Sequence, residues 1–149
     1  MATRLQEREW GVVAVLALLW FLLFQQLQVE WSINPQYSYG WLMPLLGGYL
    51  LWRRWETRPE EGRVSGRVWV LGLLILVPVL WLPGRLVQEA NPDWRLVSWW
   101  LAACVWTLTL GGLYLRGGWA WLRHFWFPFT FLLLAVPWPT VWEQAVIQG

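Results

Sequence analysis

The sequence predicts an all-α, multi-pass transmembrane helical bundle of about five spans, with the N-terminus cytoplasmic and the C-terminus outside. Three observations predict it. The 149-residue chain is 58% hydrophobic and only 13% charged, whereas a soluble domain is usually about half apolar and about a quarter charged. It carries 17 tryptophans, a residue that concentrates where membrane meets water. Its charges fall in short segments between apolar runs, and all 11 basic residues are arginine. That dispersal gives no single basic patch, so nucleic acid is excluded as a partner despite a pI near 9.1. The lipid bilayer is the expected surround, and residues 1–149 read as a single transmembrane domain with spans near 10–27, 39–55, 68–86, 96–115 and 121–137.

Each span has its own justification. The opening "MATRLQEREW" holds two arginines and two glutamates, and no small-residue cleavage site follows the apolar run behind it. The first span is therefore a retained helix rather than a removed signal peptide. Asn34-Pro35 precedes the second, Asn as a helix cap and Pro as a tolerated first helical residue. That span contains Pro44, Gly47 and Gly48. Gly40, Gly47 and Gly48, at spacings of seven and eight, fall on one helix face for close approach of a neighbour; mere tolerance of glycine in membrane helices is the alternative. The third span is interrupted by Pro78. A second Asn-Pro, Asn91-Pro92, precedes the fourth, the cleanest by length. The fifth has an apolar run of about a dozen residues before "PWP", short of a ~30 Å hydrocarbon core at ~1.5 Å per residue. It crosses only if "WAWLRH" contributes and Arg123 snorkels to the interface; a re-entrant hairpin is the alternative.

Orientation follows from arginine placement. Arg53, Arg54, Arg58, Arg63 and Arg67 share one loop, and alternation puts Arg4, Arg8, Arg116 and Arg123 on the same side. Arg85 and Arg95 fall opposite. Cytoplasmic loops carry the excess of basic residues, so the Arg53–Arg67 side is inside.

The chemistry available is narrow. One cysteine and one histidine allow no internal disulfide and no Cys/His metal cluster. Cys104, near the middle of the fourth span among Ala, Val and Trp, reads as a small packed apolar residue. His124 lies at the cytoplasmic end of the fifth span, and Cys104 is about 16 Å from that surface at helical rise, so the two form no dyad. Glu30, Glu89, Asp93 and Glu143 on the outer side read as a surface ion cluster. No phosphate-binding glycine loop or Ser/His/Asp set is present, and no catalytic residue, cofactor or metal is predicted. No charge lies in mid-span, which argues against an ion path; the Pro44 break alone is weak support for half a transporter. "TVWE" at Thr140 to Glu143 has the form of a capping box. Val141, Trp142, Ala145 and Val146 then share an amphipathic face, in a helix that looks cut off at Gly149.

Two segments carry a family resemblance. "WSINPQYSYGWLMPLLGGYLLWRRW", residues 31–55, resembles the first motif region of the exosortases, where an outer-face Gly and a Pro a few residues later open an inward helix ending in "LW" and basic residues. "RHFWFPFTFLLLAVPWPTVWEQAVI", residues 123–147, is similar to a second segment of that family, in its arginine, Phe-Pro, apolar run and "VP-x-P" in order. Tyr39 stands where the family often has His. The resemblance implies a multi-pass protein of the bacterial inner membrane, cysteine transpeptidase- or protease-like, that processes C-terminal sorting signals on exported proteins, often alongside exopolysaccharide production. The family's catalytic Cys lies in an "ACSG"-like outer-face motif followed by Arg and His or Asn. "ACVW" at Ala103 to Trp106 does not fit it, so no catalytic role passes to Cys104. The chain is expected to be an N-terminal portion, inactive alone and completed by a C-terminal half. The resemblance makes Tyr39, Gly40 and Pro44 a wall of the substrate site. A different reading is a small membrane scaffold or subunit packing with a partner membrane protein. Coding sequence beyond codon 149 separates the two readings: a continuation with a "CSG" motif supports the first, unrelated sequence the second.

Overall fold

The computed structural model describes residues 2–91 and 94–138. Among them the regular elements are all helical: α1 (Ala2–Ile33), a 3-10 segment (Pro35–Leu42), α2 (Met43–Glu56), α3 (Arg67–Ala90), α4 (Arg95–Leu132) and a closing 3-10 turn (Leu133–Ala135). Among the described residues three stretches are long and apolar enough to cross a membrane: Val13–Ile33, Arg67–Ala90 and Arg95–Ala135. The outward residues of α3 suit lipid, with Trp69 85% and Ile75 70% exposed.

The third stretch is 41 residues long, about 60 Å as one rod and twice a hydrocarbon core. It is not one rod. Gly118 has φ 65° and ψ −156°, a backbone region essentially confined to glycine. The chain reverses there. Trp106 Nε1 donates to Thr130 Oγ1 at 3.2 Å and Trp99 Nε1 to the Pro137 carbonyl at 2.9 Å, and both pairs are centred on residue 118. In a continuous helix Trp106 and Thr130 would stand about 36 Å apart. Residues 119–135 add about 27 Å of helical length, so the "WAWLRH" stretch does join the fifth predicted segment.

The loop before α3 supports the reversal. Gly62 N–H donates to the Gly117 carbonyl at 3.0 Å, and Trp121 Nε1 donates to the Pro59 carbonyl at 2.9 Å. Tyr114 Oη donates to the Ser65 carbonyl at 2.8 Å. Arg116 pairs with Glu61 at 2.8 Å.

Antiparallel packing follows throughout. Trp20 Nε1 donates to Thr109 Oγ1 at 3.0 Å, and Arg95 pairs with Glu30 at 3.5 Å, aligning α1 with the first half of α4. Leu74 lies against Gly111, and Trp100 against Gly84, along α3. Leu132 lies against Gly47, and His124 meets Arg54, along α2. The core they enclose contains Trp20, Leu23, Leu27, Trp31, Leu101, Val105, Leu132 and Val136. One end of the bundle gathers Ile33–Leu42, Arg95 and Pro137 and is called here the Asn34 end; the loop 57–66 and Gly118 lie at the other, the Arg54 end.

Several local expectations change. Pro44 sits in the first turn of α2, where its missing N–H breaks no helical bond; it starts the helix rather than kinking it. α3 continues through Pro78 and Pro83 to Ala90. Gly40, Gly47 and Gly48 do not share a face. Gly40 lies in the 3-10 segment, whose turn of about three residues shifts the phase, Gly47 meets Leu132, and Gly48 has nothing within 4 Å. Asn91 ends α3 rather than starting α4, its N–H bonded to the Val87 carbonyl at 2.9 Å, and Trp94 stands at the start of α4. Asp93, the Thr140–Glu143 capping box and the Val141–Val146 face lie outside the described residues.

An added Cβ at Gly118 would also stand 2.6 Å from the Arg63 carbonyl oxygen. Gly118→Ala is therefore expected to lower the thermal unfolding midpoint in micelles, followed by circular dichroism, by the equivalent of roughly 1–3 kcal/mol. Gly48→Ala should leave it unchanged or raise it. The opposite ranking would remove Gly118 as the hinge of the hairpin.

Candidate functional site at the Asn34 end

The 3-10 segment begins where α1 stops. Asn34 Oδ1 accepts from the Gln36 N–H at 3.2 Å, and the Tyr37 N–H donates to the Asn34 carbonyl at 3.0 Å. The side-chain cap and Pro35 turn the chain back on α1, bringing Gly40 onto the face of Trp31. An added Cβ at Gly40 would run into the Trp31 indole, so only glycine fits. Trp31 is 3% exposed. Its Nε1 donates to the Ala135 carbonyl at 2.8 Å, and its ring packs edge-on against Trp41 at 5.5 Å and tilted against Phe24 at 6.1 Å.

Arg95 makes the second junction. Its guanidinium lies over the buried Tyr37 ring at 5.3 Å. It pairs with Glu30 at 3.5 Å and donates to the Trp138 carbonyl at 3.2 Å. A cation between a carboxylate, a carbonyl and a π face is well compensated. Trp99 Nε1 holds the Pro137 carbonyl, and its ring meets Trp138 edge-on at 6.4 Å. Trp31 and Arg95 thus tie the end of α1, the 3-10 segment, the start of α4 and residues 135–138 into one surface.

The three predicted wall residues fall on this end in different ways. Gly40 is buried beneath Trp31. Tyr39 is 37% exposed, with its ring 6.3 Å from that of Tyr37. Pro44, half-buried, opens α2. Sequence reasoning missed Trp31, Tyr37 and Arg95 as the residues that organise the surface. A signal existed: aromatic and charged side chains crowd both Asn-Pro turns.

Cys104 is buried in the first half of α4, away from the Arg54 end where His124 sits. There α2 and the second half of α4 clasp reciprocally, Arg54 Nη1 donating to the His124 carbonyl and His124 Nε2 donating to the Arg54 carbonyl at 2.8 Å. The structure does not bring Cys104 and His124 together. Among the described residues no group of three or more His, Cys, Asp and Glu side chains is placed to hold a metal. Among the described residues the Asn34 end therefore presents an aromatic, hydrogen-bonded surface.

Comparison with known proteins identifies one family. The transmembrane exosortase profile matches residues 31–148, most of the chain, and the chain belongs to that family. No curated protein and no solved structure matches it.

Trp31→Phe keeps an aromatic ring but leaves the buried Ala135 carbonyl without its donor. It is expected to destabilise the fold by about 1–3 kcal/mol, read as a lower unfolding midpoint in micelles. Trp41→Phe, at a ring 49% exposed, should change it by much less. Equal effects would show that the Trp31–Ala135 bond does not organise this end.

Proposed function

We propose that this member of the transmembrane exosortase family supplies the membrane scaffold and outer-face wall of a cysteine transpeptidase-like enzyme that processes C-terminal sorting signals on exported proteins. The reading places it in the bacterial inner membrane with five spans, the Arg54 end in the cytoplasm and the Asn34 end outside. Catalytic Cys, Arg and His come from residues other than these. Tyr39, Gly40 and Pro44 line the approach to the nucleophile, backed by Trp31 and Arg95.

The observation that carries this reading is the bond from Trp31 to the Ala135 carbonyl. It joins the two family-like segments, residues 31–55 and 123–138, at one end of the bundle. Arginine placement supports the sidedness: Arg53, Arg54, Arg58, Arg63, Arg67, Arg116 and Arg123 belong to the Arg54 end, Arg85 and Arg95 to the other. The helix turned back at Gly118 supports counting two crossings in α4, and the 3-10 segment with α2 supplies a fifth of 22 residues, Pro35 to Glu56.

Two experiments test it. Single cysteines at Ser38→Cys and Glu60→Cys, in a Cys104→Ala background, should react oppositely with a membrane-impermeant maleimide on intact spheroplasts, Ser38→Cys labelling and Glu60→Cys not. The reverse pattern overturns the orientation. In a full-length exosortase carrying residues 1–149 of this chain, Gly40→Leu should reduce processing of an exported substrate at least tenfold while the nucleophile still reacts with a thiol probe. Unchanged processing sinks the wall.

A further inference from the structure

At the Arg54 end, α2 and the second half of α4 are pinned level with each other by Arg54 and His124, each bonded to the other's carbonyl. The two helices are antiparallel, so the placement of the neighbouring residues follows from helical geometry. One residue earlier in a helix is a turn of about 100°. Because the helices run in opposite directions, those turns carry Arg53 and Arg123 to the same side of the seam, within about 3 Å of one height. The same geometry sends Trp55, Trp121 and Phe125 to the opposite side, and their rings do meet there at 6.0, 6.0 and 5.6 Å. Packed helix axes lie about 8–10 Å apart. Two exposed arginines therefore stand side by side along the seam.

Arg54 leans to this side as well. Its guanidinium lies 5.5 Å from the centre of the Phe127 ring, and Phe127 is one turn from Arg123 on the same face. These charges are not compensated. Among the described residues no carboxylate pairs with Arg53, Arg54 or Arg123; Glu61 is taken by Arg116 at 2.8 Å, and Glu56 and Glu60 pair with no arginine. One turn nearer the middle of the bundle the two faces become aromatic, with Tyr49 51% and Phe127 41% exposed.

Adjacent guanidinium groups match phosphate oxygens through charge-assisted, paired N–H···O bonds. Aromatic rings just beneath suit the level where a lipid head group gives way to its chains, a feature that a free anion would leave unused. We propose that Arg53 and Arg123, with Arg54 beside them, clamp the phosphate of one anionic phospholipid at the seam between α2 and the second half of α4. The lipid relieves the repulsion between the two arginines and braces the segments 31–55 and 123–138 at the end opposite the Trp31 bond. This goes beyond the proposed function and depends on neither the sidedness nor the processing.

The test uses the full chain in neutral maltoside micelles, titrated with dioleoylphosphatidylglycerol or dioleoylphosphatidylcholine and followed by the unfolding midpoint and by native mass spectrometry. Salt is held at about 0.15 M, where charges more than about 8 Å apart are largely screened. Phosphatidylglycerol should raise the midpoint saturably and remain bound as one lipid per chain. Phosphatidylcholine, whose phosphate is neutralised by its own choline, should do neither. Arg53→Gln and Arg123→Gln should each weaken the binding by roughly tenfold, the scale of a charge-assisted hydrogen bond. The double variant should be little weaker than either, because one arginine alone makes no clamp. Arg63→Gln and Arg67→Gln change exposed arginines outside the two helices of the seam, and should leave binding within about twofold. Equal stabilisation by phosphatidylcholine, or by inorganic phosphate at the same concentration, overturns the proposal on the unaltered chain, whatever the variants do. So do losses in Arg63→Gln or Arg67→Gln that match those at the seam, or single losses that multiply in the double variant.

Discussion

The architecture depends on a backbone reversal at a single residue. Gly118, at positive φ with its α-carbon side pressed against the Arg63 carbonyl, divides an apolar stretch that would otherwise form one rod far longer than a bilayer is thick. Once the chain turns there, the second half of α4 must lie along the first. That brings Pro137 beside Trp99 and Ala135 beside Trp31. The surface at the Asn34 end is thus a consequence of a turn at the opposite end of the molecule. The intervening helix is the lever, and its length sets which residues meet.

The two ends of the bundle solve the same physical problem differently. Backbone groups near a helix terminus lack intrahelical partners, and in an apolar medium water is scarce. At the Arg54 end, long side chains curl back to serve the backbone: Arg54 to the His124 carbonyl, Arg58 to the Trp55 carbonyl, with guanidinium groups over Phe127 at 5.5 Å and Trp55 at 5.0 Å. At the Asn34 end indole N–H groups do it, from Trp31 and Trp99, with Arg95 joining them. The high tryptophan content therefore has two roles. Exposed rings such as Trp69 suit the lipid interface, whereas buried ones are donors that tie carbonyls between segments.

What was legible in the sequence and what was not divides along range. The predicted spans 10–27, 68–86 and 96–115 fall inside α1, α3 and the first half of α4, because a long apolar run is a local property. The Asn34 cap was legible for the same reason, being written in two adjacent residues. Pro44 and the glycines were misjudged because a 3-10 segment, invisible to a 3.6-residue period, precedes α2. Residues 116–120 fell between the predicted spans 96–115 and 121–137, and the Gly117/Gly118 pair there passed unremarked. Only the loop carbonyls packed on it reveal why a glycine is needed. Gly40 was singled out through its place in a motif, and it packs against Trp31. Trp31 and Arg95 were not, since their partners lie 104 and 43 residues away and no local pattern encodes such pairs.

The absence of charge from the middle of the spans had argued against an ion path through this chain. The structure relocates the question rather than answering it in the same terms. Gln25 and Gln26 near the end of α1, Gln88 near the end of α3 and Ser98 near the start of α4 each look like ordinary helix-end polarity. Antiparallel packing stacks these ends at one level, and four unremarkable positions become one cleft. The surface built on Trp31 and the cleft lined by Gln25, Gln26 and Glu30 both draw on the last turns of α1.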